Sequence, residues 1–467
     1  METQNFFGAL AGAVTIAGCA VLGAAEIPPP NFVVILTEAQ GWSNTSVAMD
    51  DRVQASKSRI LKTPAVERLA GEGMRFSDGY AASPRCTPSR AALLTGVSPA
   101  YLHMTFVGGG RESAFSRTSS ALIPPEPLLE LPTGETTVAE MLKHEGYATA
   151  HFGKWHLGRV SPAKHGFDES DGATNNGGPD IVANPNPKQA HAMTERGIDF
   201  ITRMARAQRP FYLQLSHYPN QDQKGAARQD AEVVEAADVD QTVGQLLDAL
   251  DRLGLAGNTY VLYTSDHGAQ GRTANEPLSG GKGFVLEGGL RVPFLVRGPG
   301  VAAGVCSHVP VTAMDWLPTI AELAHLQTAP AKDVEGGSFA GILRDPSGHG
   351  AVKRVREEIV FHFPHYDHGN FGPATALILE HYKLIRVDET GTRRLYDLAV
   401  DAAEEHDLAA KLPEKTAELD ARLIAYLRAV NAQLAIVNPD YDPTKAGIAP
   451  DNRPGAGGKG GKRRDSP

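Results

Sequence analysis

A cysteine stands in a short run of residues whose types and spacing suit chemistry on an anion. Cys86 is followed by Pro88, which can open a helix, and by Arg90, four residues after the cysteine. The Arg90 guanidinium can fold back over residue 86, and the N–H groups of a helix N-terminus add to the positive field there. Arg85 adds a further charge. This spacing favours a site that holds an anion or a polar adduct at residue 86; the alternative is a cysteine buried for packing alone.

A lysine and a histidine that follow a predicted strand could serve the same anion. The run 146–156 places a tight turn at Gly153 before Lys154 and His156, which are two residues apart and therefore face the same side. A lysine ammonium binds anionic oxygens, and an imidazole moves protons near neutral pH. His217 follows a second predicted strand, and for this residue a histidine bonded for structural reasons is a close alternative.

Two carboxylates come directly after hydrophobic runs that predict buried strands. Glu38 follows the run 32–36, and Asp266 follows the run 260–263. Because ligand groups collect beyond the carboxyl ends of strands in open α/β sheets, we expect both carboxylates at one edge of the sheet. Together they would form a hard-oxygen site suited to Ca²⁺ or Mg²⁺. The alternative for Glu38 is an acid in a solvated loop.

The elements that must position these residues are predicted by hydrophobic periodicity. Predominantly apolar runs typical of strands buried in a parallel sheet occur at 32–36, 211–216, 260–263 and 294–296. Apolar residues at helical spacing predict helices near 64–70, 138–145, 193–207, 239–253 and 312–324. The alternation of the two element types predicts an α/β fold for this part of the chain.

The pattern changes after about residue 345. Short strands separated by turns are predicted within 358–398, and these are consistent with antiparallel pairing, with a helix over 413–434. A polar and aromatic cluster, 362–368, is expected to reach back over the pocket. We therefore assign residues 28–345 to a catalytic domain, 346–436 to a smaller C-terminal α+β domain, and 437–467 to a disordered basic tail.

Composition and the N-terminus bear on partners and location. The chain has 467 residues and a formal net charge of −9, which gives no electrostatic reason to expect a nucleic acid partner. Residues 1–25 resemble a secretory signal peptide, although no Lys or Arg precedes the apolar run. A lipobox-like stretch ends at Cys19, so a lipid anchor is an alternative; no later segment is long and apolar enough to span a membrane. We expect export to the periplasm or the cell exterior, and no disulfide framework from Cys86 and Cys306.

Five stretches of the chain, in order, resemble the signatures of the type I sulfatases, which depend on formylglycine and belong to the alkaline phosphatase-like superfamily. The stretches are Cys-Thr-Pro-Ser-Arg at 86–90, the run 146–156, His-Tyr-Pro at 217–219, Ser-Asp-His-Gly at 265–268 and the run 281–293. The resemblance implies a large mixed, mostly parallel sheet flanked by helices, with a smaller C-terminal α+β domain.

The resemblance also implies a mechanism. Cys86 would be oxidised to formylglycine by a formylglycine-generating enzyme, and the hydrate of the aldehyde would attack sulfur. Side chains around it would clamp the sulfate, steady the hydrate and move protons. The residues given catalytic roles in this way are Cys86, Arg90, Lys154, His156, His217 and Lys282.

The expected metal site departs from the family pattern. Family members usually carry two adjacent aspartates where this chain has Glu38 and Ala39, so one expected carboxylate is missing. Gln40 or water could supply the missing oxygen, and His267 would join Asp266 as a ligand. We expect a divalent cation at these residues, Ca²⁺ in preference to Mg²⁺.

The sequence therefore predicts hydrolysis of a sulfate ester, of a sulfated carbohydrate or an aryl sulfate. Two alternatives stay open at this point. One is a phosphate or phosphonate ester hydrolase of the same superfamily, since both substrate classes present tetrahedral anions. The other is a non-catalytic protein that has lost its metal and binds sulfated glycans.

Overall fold

The computed structural model describes Met1 and residues 28–107, 114–180, 187–219, 228–270, 275–327, 330–331, 333–367 and 370–445. The predicted signal peptide with Cys19, from residue 2 onward, and the end of the predicted tail, 446–467, lie outside the described residues. Within the described ranges, no helix combines the length and the apolar character that crossing a membrane requires.

The larger part of the chain is built on an eight-stranded sheet, as its hydrophobic runs predict. Its strands run in the order β10-β2-β9-β8-β1-β7-β5-β6. β9 is antiparallel to both of its neighbours, and the other pairs are parallel, so the sheet is mixed and mostly parallel. The strands of this part of the chain are β1 (Asn31–Thr37), β2 (Met74–Phe76), β3 (Gly79–Tyr80), β4 (Leu122–Ile123), β5 (Ala148–Gly153), β6 (Glu169–Ser170), β7 (Phe211–Ser216), β8 (Thr259–Ser265), β9 (Phe294–Arg297), β10 (Val305–Ser307) and β11 (Val311–Thr312).

Helices cover both faces of this sheet because its central strands are apolar on both sides. In β1, Phe32 and Val34 join a core that contains residues of α2, α4, α8 and α9, whereas Val33 and Ile35 face α1, α5 and α6. The helices are α1 (Pro64–Glu72), α2 (Cys86–Thr95), α3 (Pro99–Leu102), α4 (Val138–His144), α5 (Pro187–Ala207), α6 (Arg228–Arg252), α7 (Glu287–Leu290), α8 (Trp316–Leu323) and α9 (Ala340–Leu343).

The C-terminal part is an antiparallel sheet with one long helix, as predicted. Strands β12 (Ile359–Phe363), β13 (Ala374–Leu379), β14 (Tyr382–Val387) and β15 (Thr392–Asp397) pair in chain order, and α10 (Pro413–Ala429) follows. The predicted helix extended to residue 434, which is wrong. Asn431 adopts a left-handed backbone conformation (φ 51°) that an α-helix does not continue through.

The two faces of the C-terminal sheet have different partners. One face packs Leu377 and Leu384 against Leu423 of α10. The opposite face, which includes Phe361, joins a core that contains Cys86. The C-terminal sheet therefore forms part of the wall around the start of α2.

The chain beyond α10 is ordered for longer than its composition predicts. A short strand, β16 (Ile436–Val437), pairs with β4, and the Asn438 side chain donates hydrogen bonds to the backbone carbonyls of Arg117 and Ser120. Residues 437–445 therefore pack against the body of the protein, whereas the sequence assigned them to a disordered tail.

Candidate active site

The start of α2 presents Cys86 from a closed turn. Arg85 is extended (φ −140°), and the helix begins at Cys86 itself. Ser89 closes the turn, because its hydroxyl donates to the Ser83 carbonyl (2.8 Å) and accepts from the Ser83 N–H (3.0 Å). The Cys86 side chain is buried, with Sγ 3.3 Å from Glu38 Oε1 and 3.1 Å from His267 Nε2.

Arg90 joins three elements beneath Cys86. Its Nε donates to Asp266 Oδ2 (3.0 Å), its Nη2 to Glu38 Oε2 (2.9 Å) and its Nη1 to the Lys154 carbonyl (2.6 Å). These acceptors follow β8, β1 and β5, so one buried guanidinium ties the carboxyl ends of three strands together. The Arg90 guanidinium was expected to fold back over residue 86. In the structure it donates hydrogen bonds to the two carboxylates beside that residue.

The turn after β5 delivers Lys154 to the same carboxylate. Gly153 is left-handed (φ 99°), and a Cβ there would come within 2.0 Å of the Ser216 carbonyl oxygen, so the close approach to β7 requires glycine. Lys154 Nζ then donates to Glu38 Oε2 (2.9 Å) and is fully buried. His156 is tied to α2, because the Thr87 hydroxyl donates to its carbonyl oxygen (2.8 Å).

Two histidines with expected catalytic roles have different surroundings. His156 is partly exposed as a residue, but its Nδ1 is buried and has no hydrogen-bond partner among the described residues. His217 is buried, and its Nε2 lies 3.2 Å from the Thr242 hydroxyl of α6. Burial lowers the pKa of His217 to about 4, which keeps the ring neutral near pH 7. Thr242 is thus a structural partner for one ring nitrogen of His217, whereas Nδ1 is buried without a hydrogen-bond partner in the described part of the chain.

Four side chains form the group that could hold a cation. Ligand atoms of Glu38, Cys86, Asp266 and His267 all lie within 4.8 Å of one another, and all four residues are buried. His267 Nδ1 lies 2.8 Å from the Gly268 carbonyl, which requires a proton on Nδ1 and directs the Nε2 lone pair of the neutral ring into the group. Two carboxylates and one imidazole fit a divalent cation.

The predicted metal ligand Gln40 is engaged elsewhere. Its Oε1 accepts hydrogen bonds from the hydroxyls of Thr37 (2.9 Å) and Tyr263 (2.7 Å), so both lone pairs of the amide oxygen are in use. Ala39 is left-handed (φ 52°) and donates its N–H to Asp266 Oδ1 (3.1 Å). No geometry here supports Gln40 as a replacement for the missing carboxylate.

The charges of the site are strongly interdependent. Burial alone would raise the pKa of Glu38, but Lys154 and Arg90 outweigh it and hold that pKa well below its usual range. Burial and the charge of Glu38 raise the pKa of Asp266 to about 6. The pKa of the Cys86 thiol falls well below its usual value, because Lys154 and Lys282 more than offset burial and the charge of Glu38.

Lys282 stands on a loop that the nucleophile turn and the C-terminal domain hold from two sides. The Gly283 N–H donates to the Pro84 carbonyl (3.0 Å), and Asn370 Nδ2 donates to the Gly283 carbonyl (3.1 Å). Burial would lower the pKa of Lys282, but the charges of Cys86 and Glu38 raise it, which keeps the ammonium protonated. Lys282 is partly exposed and can therefore meet a substrate.

Asp367 belongs to the polar cluster 362–368, but no individual role was predicted for it. It accepts hydrogen bonds from Arg85 Nε (2.6 Å) and Arg85 Nη2 (2.8 Å) in a buried bidentate pair. A Cβ at Gly283 would come within 2.5 Å of Asp367 Oδ2, so the carboxylate also lies against the Lys282 loop. Asp367 lies in the polar cluster that was expected to reach over the pocket; His368 of that cluster lies outside the described residues.

A second buried ion network fixes the other end of the Lys282 loop. Lys383 of β14 donates to Glu287 (2.8 Å) and pairs with Glu404 (2.9 Å), and Arg291 Nε donates to Glu287 (2.6 Å). All four side chains are buried. Glu287 and Arg291 belong to the run 281–293 that the sequence singled out, whereas Lys383 and Glu404 carried no local signal.

Comparison with known proteins decides the family. The model of the family described as Sulfatase matches residues 30–326, and that described as N-sulphoglucosamine sulphohydrolase, C-terminal, matches residues 281–433. The chain belongs to the sulfatase family. It is accordingly an enzyme that hydrolyses sulfate esters, and the predicted family and enzyme class are confirmed.

Curated relatives of this sulfatase act on different sulfated compounds. The chain is 32% identical over 367 residues to the N-acetylgalactosamine-6-sulfatase of Mus musculus, covering 69% of this chain and 68% of that protein. It is 29% identical over 443 residues to the steryl-sulfatase of Mus musculus, covering 72% of this chain and 67% of the relative.

Solved structures support the fold of the sulfatase. Ps i-CgsB in complex with k-i-k-neocarrahexaose matches with a TM-score of 0.69 at 22% identity, covering 85% of this chain and 93% of that chain. The PsFucS1 sulfatase from Pseudoalteromonas sp. matches with a TM-score of 0.65 at 21% identity, covering 87% of this chain and 92% of the other. At this level of identity the likeness concerns the fold, and the predicted architecture is confirmed.

Proposed function

We propose that this sulfatase removes sulfate from a sulfated carbohydrate through a formylglycine hydrate formed at residue 86, with assistance from a divalent cation. The observation that carries the proposal is the convergence of Arg90, Lys154 and two carboxylates on a buried Cys86. Relatives support the substrate class, because one is named N-acetylgalactosamine-6-sulfatase and a structural neighbour holds k-i-k-neocarrahexaose.

The formylglycine hydrate would supply two hydroxyls where the Cys86 sulfur now stands. The sulfur atom therefore marks the place of the attacking oxygen in the distances given above. One hydroxyl would attack sulfur, and the second would later expel sulfate and restore the aldehyde. Asp266 or its neighbour Glu38, whose oxygen lies 3.3 Å from Cys86 Sγ, would accept the first proton.

Two lysines would bind the sulfate group. Lys154 is anchored on Glu38, and Lys282 extends from its loop with the ammonium protonated. Their charges would draw electron density from the sulfate oxygens, which lowers the barrier in a site that excludes water. The bound cation would add Lewis acidity at the same oxygens, and Glu38, Asp266 and His267 would hold it.

Proton transfer to the departing alcohol is assigned to Lys282 in preference to His217. Lys282 is charged and accessible, whereas His217 is neutral and bonded to Thr242. His156 would take the proton of the second hydroxyl, because this residue is partly exposed on a turn tied to α2. Arg90 would steady the carboxylates that flank the hydrate.

Maturation and location complete the proposal. A formylglycine-generating enzyme would convert Cys86 before the protein reaches the periplasm or the cell exterior. Ca²⁺ is the preferred cation, with Mg²⁺ the alternative. Apart from Cys86, the ligand group consists of Glu38, Asp266 and His267, and two of these three ligands are carboxylates.

The state of residue 86 tests the proposal directly. Intact mass of the peptide that contains residue 86, from the native host, should show conversion of the thiol to the aldehyde. Cys86→Ser should fold normally but fail to turn over, because a serine has no second hydroxyl to expel sulfate, and sulfated enzyme should accumulate. Hydrolysis should be measured on sulfate and phosphate esters with the same leaving group. Full turnover by Cys86→Ser, or an unmodified thiol in active protein, would contradict the scheme.

A further inference from the structure

A second group of metal-binding side chains lies at the edge of the main sheet, separate from Cys86. Asp51, Cys306 and His308 offer a carboxylate oxygen, a thiol sulfur and an imidazole nitrogen within 4.8 Å of one another. Cys306 and His308 are two residues apart at the end of β10, so their side chains leave the strand on the same side. The Ser307 side chain between them is buried and donates to the Gly348 carbonyl (2.6 Å).

The imidazole of His308 is oriented by residues outside the group. Its Nδ1 lies 2.8 Å from the Ser77 hydroxyl, and that hydroxyl donates to Asp78 Oδ2 (3.2 Å). With the Ser77 proton directed at Asp78, its oxygen accepts from His308 Nδ1, and Nε2 is the nitrogen that faces Asp51. Nε2 lies 3.3 Å from Asp51 Oδ1. A carboxylate–hydroxyl relay that fixes the second nitrogen is how metal-binding histidines are commonly held.

The sulfur of Cys306 lies against the segment that carries Asp51, whose backbone N–H bonds to it. Cys306 is a free thiol and only partly buried, so an ion can reach it. Asp51 is exposed, which leaves room for water as a fourth ligand.

We propose that Asp51, Cys306 and His308 form a second metal site that binds Zn²⁺. A thiolate, an imidazole and a carboxylate are the donors of protein zinc sites, and water would complete four-coordination. With ligand bonds of about 2.0 to 2.3 Å, a tetrahedral ion places its ligand atoms roughly 3.3 to 3.7 Å apart. The Asp51–His308 distance of 3.3 Å already agrees with this. The sulfur would move toward the other two ligands by about an ångström at most.

The site would fasten a loop to the sheet. Cys306 Sγ donates to the Met49 carbonyl (3.4 Å), so the 49–51 segment already lies against the end of β10. A bound ion would link that segment through coordinate bonds to a strand 255 positions away in sequence. Since an ion that binds only the folded state stabilises it by mass action, Zn²⁺ should raise the thermal midpoint of unfolding.

Titration with Co²⁺, a spectroscopic substitute for Zn²⁺, tests the proposal. The full chain carries three cysteines, so in a Cys19→Ala, Cys86→Ala background the thiol of Cys306 is the only one left. One equivalent of Co²⁺ should then produce the near-ultraviolet thiolate-to-cobalt charge-transfer band, and one equivalent of Zn²⁺ should abolish it. Excess Ca²⁺ should be present to fill the candidate cation site at residue 86, so that Co²⁺ bound there does not add to the measured stoichiometry.

Two further substitutions in that background decide the outcome. Cys306→Ser should remove the charge-transfer band, and His308→Ala should weaken Co²⁺ binding by at least about tenfold while the band remains at saturation. Each variant should keep the circular dichroism spectrum and the metal-free thermal midpoint of its parent, and His308→Gln replaces His308→Ala if the latter does not fold. A parent protein without the band, or a band that survives Cys306→Ser, would overturn the proposal.

Discussion

Glu38 is the residue on which the charges of the active site converge. Its Oε2 accepts from both Arg90 and Lys154, which leaves Oε1 to face Cys86 and the cation group. A longer acid at this position thus reaches the site while Ala39 contributes only its backbone N–H to Asp266. Gln40 does not replace the missing second carboxylate, because its amide oxygen accepts hydrogen bonds from Thr37 of β1 and Tyr263 of β8.

The first prediction separates Glu38 from Gln40 as a ligand. Glu38→Gln should weaken Ca²⁺ binding by at least about tenfold, because it removes a ligand charge. Gln40→Met, the matched control, should change the affinity by no more than about twofold, since the Gln40 oxygen bonds Thr37 and Tyr263. Isothermal titration calorimetry on protein with the same residue 86 state measures both. An equal loss in the two variants would return Gln40 to the ligand set.

The second prediction identifies the acid that protonates the leaving group. Lys282→Met should lower kcat/KM by about 10² to 10⁴, and the deficit should be larger for alkyl than for nitrophenyl sulfates, because poor leaving groups need the proton most. His217→Gln should lower activity evenly across leaving groups, since neutral His217 is bonded to Thr242. A leaving-group dependence that appears in His217→Gln and not in Lys282→Met would reverse the assignment.

At the scale of elements, the C-terminal domain holds the turn at Cys86 and the Lys282 loop against each other. Asp367 pairs with Arg85 next to Cys86 and lies against Gly283 next to Lys282. Asn370 adds a hydrogen bond to the Gly283 carbonyl. The loop between β12 and β13 therefore sets the distance between residue 86, the proposed nucleophile, and Lys282, the proposed ligand of the ester.

The third prediction concerns this clamp. Asp367→Asn should lower the free energy of unfolding by about 3 kcal/mol, because it breaks the buried ion pair with the Arg85 guanidinium. It should also lower kcat more than it raises KM, since the Lys282 loop loses its position. Urea denaturation and steady-state kinetics measure the two effects.

A paired substitution is the control for the clamp. Arg85→Met combined with Asp367→Leu replaces the ion pair with apolar side chains of similar reach, which commonly recovers stability. If positioning is the role of Asp367, kcat should stay low in the double variant although stability returns. Normal kcat in a stable double variant would show that the pair serves stability alone.

At the scale of the whole molecule, several histidines are buried as neutral rings. Burial lowers the pKa of His362 to about 4 and that of His365 to about 3. His362 is bonded on both nitrogens, to the Thr375 hydroxyl and to the Gln433 carbonyl, which holds β12 to β13 and to the segment after α10. Protonation of such rings is favoured in the unfolded chain.

The fourth prediction is a loss of stability in acid. Each of these pKa values is lower in the folded protein than the ordinary 6.5. The stability that the neutral rings contribute to the folded protein is therefore fully present above pH 6.5 and is lost as the pH falls toward 4. The slope is at most about 1.4 kcal/mol per pH unit and per histidine. Glu404, with a pKa raised to about 7, acts with the opposite sign because the folded state favours its protonated form.

Comparison of the wild type with a variant isolates the contribution of His362 to the pH dependence of stability. The free energy of unfolding of the wild type and of His362→Gln should be compared by urea denaturation between pH 7.5 and 4.5. The variant should be less stable at pH 7.5 because its hydrogen bonds are disturbed. Between pH 6.5 and 4.5, however, its free energy of unfolding should fall less steeply than that of the wild type, by up to about 1.4 kcal/mol per pH unit, the slope for one proton. Parallel curves would show that His362 does not titrate on unfolding.

Much of the fold was determined by the local sequence. Strands such as β1 and β8 are rich in β-branched or aromatic residues and are stable only when buried on both faces, and the helices carry apolar residues at helical spacing. The carboxyl ends of parallel strands meet at one edge of a sheet, so the positions of Glu38 and Asp266 directly after two such strands are enough to bring them together. The same short-range logic placed Lys154 and His156 on one turn.

Only the tertiary structure decided how those residues are used. Whether Gln40 faces a cation or Tyr263, and whether His217 faces the substrate or Thr242, depends on helices and strands that pack from distant parts of the chain. Asp367 lies 282 positions from its partner Arg85. No local pattern encodes such a contact, because a buried charge is stabilised by whichever opposite charge the fold brings to it, and that choice is made when the two domains pack together.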